Sequence, residues 1–185
     1  MAESKNNVVM HGASGKVDLI VFSQRHGKTV ISKAPAHSVT HTPAQDAVRQ
    51  KFQQAVIYAR AAIADAAKKQ AYKAAAQPGQ SAYNVALADF FNAPDIQEID
   101  VSGYTGNIGD QIKIAVTDNF KVAGVAVSVH NGDGTPVEAG NAVQDADGLH
   151  WIYTATAANA SLTGDKITVT ATDAPQNETT ADTAL

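Results

Sequence analysis

The chain has 185 residues, 44% of them hydrophobic and 17% charged, with a formal net charge of −4. That is enough apolar material for real cores in one large domain or two small ones. No run approaches the roughly 18 uninterrupted apolar residues of a membrane-spanning helix. The absence of cysteine excludes a disulfide framework, thiolate metal sites and a cysteine nucleophile.

Met1 to Asn7 is polar and no apolar h-region follows, so no secretory signal is expected. The expected setting is the cytoplasm, or a virion or other released particle. The first strong pattern runs from Gly12 to Lys33. Val17 to Gln24 reads as one strand, with Val17, Leu19 and Val21 on one face, Ile20 and Phe22 on the other, and Asp18 as the exception. Thr29, Val30 and Ile31 form the return strand, and Arg25-His26-Gly27-Lys28 is the turn, with Gly27 supplying a positive φ. A hairpin that is apolar on both faces needs cover from both sides, and its edges offer unpaired N–H and C=O groups. Val17, Leu19, Ile20, Val21, Phe22, Val30 and Ile31 are therefore the candidate self-association residues.

Ala34 to His41 is a linker containing proline and histidine. Thr42 can then cap a helix, Pro43 suits its first position, and Gln45 completes a capping box. Ala44, Ala47, Val48, Phe52, Ala55, Val56, Ala59, Ala62 and Ile63 recur at helical spacing, which predicts an amphipathic helix of about five turns. That helix is expected to cover one face of the hairpin. Asp65 can cap a second helix over 66–77, which Pro78-Gly79 ends, and Ser81 a third that ends at Asn92-Ala93-Pro94.

From Asp95 the period changes to two. Ile96, Ile99 and Val101 suggest one strand, and Ile112, Ile114 and Val116 a second. Val125, Val127 and Val129 suggest another, followed by the turn Asn131-Gly132-Asp133-Gly134. Trp151, Tyr153 and Ala155, then Ile167, Val169 and Ala171, complete the clear set. Val137 and Val143 mark short intervening strands, and 174–185 an edge strand or frayed end. Short, regularly spaced strands with such turns predict a β-sandwich. The fold class expected is α+β: a hairpin and helices over 1–94, then an all-β immunoglobulin-like sandwich over 95–185.

Two resemblances accompany these patterns. Val116-Thr117-Asp118, the run Val122 to Val129, and Val169-Thr170-Ala171-Thr172-Asp173-Ala174-Pro175-Gln176-Asn177 resemble bacterial immunoglobulin-like modules. The likeness implies a fold over about residues 95–180 and no single function, since such modules serve as spacers, adhesins, sugar binders and decorations. Gly12-Ala13-Ser14-Gly15-Lys16-Val17, with Gly27-Lys28, a proline linker and a Thr-x-x-Gln helix start, resembles an uncharacterised bacterial family over about residues 10–60. It implies no established activity. A single sandwich behind an assembly module is also similar in plan to phage virion and appendage subunits.

The charge is divided unevenly. Residues 1–80 carry 11 Lys/Arg against 4 Asp/Glu, a balance of +7, and residues 81–185 carry 3 against 14, a balance of −11. Such a chain can steer toward polyanions, dock head to tail on copies of itself, or simply keep two domains soluble. Lys16, Arg25, Lys28, Lys33, Arg49, Lys51 and Arg60 are the candidate polyanion contacts, although the aromatic residues near them are few.

Other chemistry is thinner. Gly12-Ala13-Ser14-Gly15-Lys16 lacks the first glycine and the Ser or Thr of a phosphate-binding loop, and a strand follows it, so a tight turn is the better reading. His37 and His41 sit in a proline-bracketed linker with no further ligands, and loop histidines are expected. Asp118, Asp133, Asp145, Asp147 and Asp173 lie at strand ends where oxygen-rich loops hold calcium, or where aspartate forms turns. No catalytic constellation, cofactor or metal set is expected. The reading is a non-enzymatic structural subunit forming a homo-oligomer or filament. Its alternatives are a nucleic-acid-associated protein or partner of an acidic surface, and a glycan- or calcium-binding module.

Overall fold

The structure, a computed structural model, describes residues 2–4, 12–25, 27–36 and 42–185. The histidines at positions 11, 26, 37 and 41 lie outside these. The chain is mixed α+β and mostly β, with three helices and three four-stranded antiparallel sheets among the described residues. It divides into two compact units, residues 1–51 and 52–185.

The first unit holds β1 (Ala2–Ser4), β2 (Gly15–Val17), β3 (Ile20–Arg25) and β4 (Lys28–Lys33), in the order β1-β4-β3-β2. The β3–β4 hairpin turns through Gly27 at φ 75°, as its sequence predicts. The single strand expected from Val17 to Gln24 is instead two strands. Val17 pairs with Ile20 across a two-residue loop, Asp18-Leu19, in which Asp18 takes φ 50°. Aspartate tolerates the left-handed region because its short polar side chain bonds locally, so a continuous apolar run conceals a turn there.

The break changes which residues share a face. Directly paired residues lie on the same side of a sheet, so the pairs Val17–Ile20 and Phe22–Ile31 put four apolar residues together. Val21 and Ser23 share the other side with Val30 and Ser32. Val17 therefore sides with Ile20 and Phe22, against expectation, and Leu19 belongs to the loop.

The helices begin where their caps dictate. In α1 (Pro43–Ala64) the Gln45 N–H donates to Thr42 Oγ1 and the Thr42 N–H to Gln45 Oε1, a closed capping box. Asp65 accepts from the N–H groups of Ala67 and Lys68 at the head of α2 (Ala66–Ala75), and Ser81 from that of Asn84 at the head of α3 (Ala82–Asp89). The apolar stripe of α1 is buried only at Ala55, Ala59 and Ala62. Residues 43–54 are exposed throughout, so this half of the stripe is not buried.

In the second unit Ala59 and Ala62 pack with Tyr72 of α2 and with Val85 and Ala86 of α3, and Phe120 from the β region packs against the same cluster. Tyr72 and Phe120 stack with ring centroids 4.1 Å apart. Contacts thus group the helices from Phe52 onward with the strands. The strands are β5 (Asp95–Asp100), β6 (Gln111–Thr117), β7 (Val122–His130), β8 (Pro136–Asn141), β9 (Val143–Gln144), β10 (His150–Thr154), β11 (Lys166–Asp173) and β12 (Glu178–Ala184). They form one sheet in the order β5-β6-β10-β9 and another in the order β12-β11-β7-β8.

Alternation supplies their common core. Ile112, Ile114, Val116, Trp151 and Tyr153 from the first sheet meet Val125, Val127, Val129, Ile167, Val169 and Ala171 from the second in one buried cluster. In β5 the inward residues Ile96 and Ile99 are three apart. A register shift at Gln97 restores the pairing, Ile96 opposite Val116 and Ile99 opposite Ile114. The tail is an edge strand, β12, paired along its length with β11.

Candidate functional site

The N-terminal sheet carries most of the residues singled out for association. Val17 is 66% exposed and Ile20 46%, and Phe22 and Ile31 on the same face are half-buried. On the opposite face Val21 is half-buried and Val30 buried. Leu19, in the loop, is 58% exposed. The sheet is therefore uneven: the Val21–Val30 side is the better covered, and the Val17–Ile20–Phe22–Ile31 side the more open.

The seven candidate cations are all exposed. By register Lys16 lies beside Val21, and Arg25 pairs with Lys28, so these three share the Val30 side of the sheet. Lys33 pairs with Ile20 on the apolar side. Arg49, Lys51 and Arg60 are spread along α1. No single stripe collects all seven.

Gly12 and Gly15 take positive φ, and Gly15 and Lys16 already belong to strand β2. A phosphate-binding loop needs a helix N-terminus at that point.

The most concentrated polar chemistry lies in the second unit. Asp89, the last residue of α3, and Asp173, the last residue of β11, are both fully buried. Together with Asp118, in the β6–β7 loop, each offers a carboxylate oxygen, and these oxygens lie within 4.8 Å of one another. Each carboxylate is held by local geometry. Asp118 Oδ2 accepts from the N–H groups of Phe120 at 3.2 Å and Lys121 at 2.8 Å. Asp173 accepts from the Asn177 N–H at 2.6 Å and from Asn177 Nδ2 at 2.7 Å, closing the β11–β12 turn. Asp89 Oδ2 accepts from the Tyr72 hydroxyl at 2.6 Å, and that hydroxyl lies 2.7 Å from the Tyr58 hydroxyl. With Tyr72 donating to Asp89, Tyr58 donates to Tyr72.

Asn177 joins the segments. Its Nδ2 also lies 3.3–3.4 Å from the main-chain oxygens of Asp89, Phe90 and Asn92, so one amide bridges the exit of α3 and the β11–β12 turn. Burial pushes the Asp89 carboxyl up to about 6; the Tyr72 hydrogen bond opposes this, and the Asp118 and Asp173 charges add to it. Burial raises Asp173 too, against the hydrogen bonds from Asn177. The Tyr72 hydroxyl is raised by burial and by its bond to Asp89.

Asp118 and Asp173 are two of the five aspartates whose place at strand ends suggests calcium; Asp89 is not among them. The other three serve their own turns. Asp133 holds Thr135, Asp145 the Ala146 N–H, and Asp147 the Leu149 and His150 N–H groups and the His150 ring. Asp89 carried no local signal, because an aspartate at a helix end reads as a surface charge.

No protein-family model matches this chain, and no curated protein matches it significantly. Among the described residues no helix is long and apolar enough to cross a membrane.

Proposed function

We propose that this chain is a non-enzymatic structural subunit of the phage virion, filament or appendage type. It associates with copies of itself through its N-terminal unit and displays an immunoglobulin-like domain. The observation that carries the reading is the open apolar face of the sheet, with Val17 66% and Ile20 46% exposed beside Phe22 and Ile31. Burying side chains of that size is worth roughly 1.5–3 kcal/mol each, which favours a partner over water. Within the same unit Val48 of α1 is 68% exposed.

The occupant is a second copy. Residues 1–80 are positive by 7 and residues 81–185 negative by 11, so the basic half of one chain complements the acidic half of the next. A head-to-tail contact of this kind closes into a ring or propagates as a filament. The immunoglobulin-like reading is supported by the strand order. By position along the β region, the first, second, sixth and fifth strands share one sheet, and the eighth, seventh, third and fourth the other. That corresponds to the A-B-E-D and G-F-C-C′ arrangement of such sandwiches. Trp151 falls on the sixth strand instead of the third, a departure from the antibody pattern.

Sedimentation velocity of the wild type beside Val17→Ser/Ile20→Ser tests the association. The expected result is a multi-subunit species for the wild type and a folded monomer for the double variant. A wild type that sediments as a monomer at high micromolar concentration would overturn the reading. The placement of Lys16, Arg25 and Lys28 on the opposite face favours one second reading, a polyanion contact. It requires retention on heparin that falls steeply with salt.

A further inference from the structure

Two oxygens of the acidic cluster have no hydrogen-bond partner among the described residues. Asp89 Oδ2 is taken by Tyr72, and Asp118 Oδ2 by two backbone N–H groups. Both Asp173 oxygens are taken by Asn177. Oδ1 of Asp89 and Oδ1 of Asp118 are buried and accept no hydrogen bond from the described residues. No ion pair among the described residues joins a lysine or arginine to any of the three carboxylates. A buried carboxylate oxygen stripped of water and left unpaired is costly, and three carboxylates this close add mutual repulsion. Turn formation explains the occupied oxygens and leaves the free ones unexplained.

We propose that Asp89, Asp118 and Asp173 bind one divalent cation, calcium by preference, and that the ion fastens the end of α3 to the β6–β7 loop and the β11–β12 turn. The donors are all hard carboxylate oxygens, the set that calcium and magnesium take and softer metals do not favour. Calcium–oxygen bonds of about 2.3–2.6 Å place ligand oxygens at most about 5 Å apart around one ion. The three carboxylates, each with an oxygen within 4.8 Å of the others, meet that limit. Calcium accepts about 6–8 oxygens in flexible geometry, which three carboxylates, some bidentate, and water provide. Magnesium gives up its own waters reluctantly, which disfavours it where Asp89 and Asp173 are fully buried.

The ion has a structural consequence. Asp89 lies on the helical side of the unit and Asp118 and Asp173 on the sheet side, where Asn177 is the amide that bridges them. A cation between them makes the packing of α2 and α3 on Phe120 dependent on calcium.

The experiment uses the full chain stripped with EDTA, titrated with calcium chloride, magnesium chloride and terbium chloride. Tyr72 touches Asp89, so terbium in the site is excited through tyrosine. The expected results are a melting temperature that rises saturably with calcium, and tyrosine-sensitised terbium emission displaced by calcium better than by magnesium. Asp118→Asn and Asp89→Asn should each weaken terbium binding at least about tenfold. Both variants keep a carbonyl oxygen for the existing donors and put an NH₂ where the free oxygen stood, so the fold is retained; Trp151 emission checks it. Absence of any calcium-dependent shift together with absent terbium emission would overturn the proposal, as would an Asp118→Asn variant that binds like wild type. Asp89→Asn that is more stable than wild type in EDTA, with no ion effect in either, would assign the cluster to a shared proton and also overturn it. Displacement by magnesium as effective as by calcium would overturn the stated preference.

Discussion

Glu138 illustrates how single polar residues hold the β region together. Its Oε2 accepts from the Tyr153 hydroxyl at 2.8 Å, from the Thr156 N–H and hydroxyl at 2.7 and 2.8 Å, and from the Ala157 N–H at 3.1 Å. It thereby ties β8, in one sheet, to the end of β10, in the other. Burial pushes the carboxyl up, and these four hydrogen bonds more than offset that, holding it below the usual glutamate range. The same contact pushes the Tyr153 hydroxyl up to about 12, burial being the larger cause. A depressed carboxyl contributes stability that is present above its unfolded value and is lost as pH falls through the folded value. Glu138→Gln keeps the shape and removes the charge. Urea unfolding at pH 7 should show the variant less stable by about 1–2 kcal/mol, the lower range for charged hydrogen bonds at a half-buried site. The gap should close as pH falls below the ordinary glutamate range and through the lower folded value. A gap that persists unchanged at low pH would mean that packing, not charge, is lost.

At the scale of elements, the capped helices and the alternating strands follow from neighbours in sequence. A capping box needs residues three apart, and strand alternation needs only residues two apart. Thr42, Asp65 and Ser81 all cap as their spacing predicts. The β2–β3 loop is the exception, since Asp18 breaks a run that reads as one strand. A β-branched residue at a positive φ costs roughly 1–2 kcal/mol. Asp18→Val should therefore speed amide exchange in β2 and the facing part of β3 by about tenfold, while Asp18→Gly leaves it unchanged or slower. Equal protection in all three proteins would show that the loop does not depend on the conformation of residue 18.

For the whole molecule, the helices from Phe52 onward belong with the strands by contact. A fragment of residues 52–185 should unfold cooperatively with a Trp151 emission change. A fragment of 95–185 retains the complete alternating core and should also fold, with a lower melting temperature. It loses the Tyr72 stacking on Phe120 and the main-chain oxygens that Asn177 bonds. Identical melting temperatures would mean that the helices add nothing to the sheets. What the sequence by itself determined was local: helix starts set by caps, strands set by alternation, a glycine turn at Gly27, and a charge asymmetry that needs only counting. What the tertiary structure alone decided was which residues far apart in the chain meet. The α1 stripe is continuous in sequence yet buried only from Ala55 onward, because burial depends on what packs against it. Asp89, Asp118 and Asp173 converge only because α3 docks beside the ends of β6 and β11. Each aspartate also satisfies a local role, as helix end, loop or turn, and residue spacing carries no record of the carboxylate that folding brings alongside.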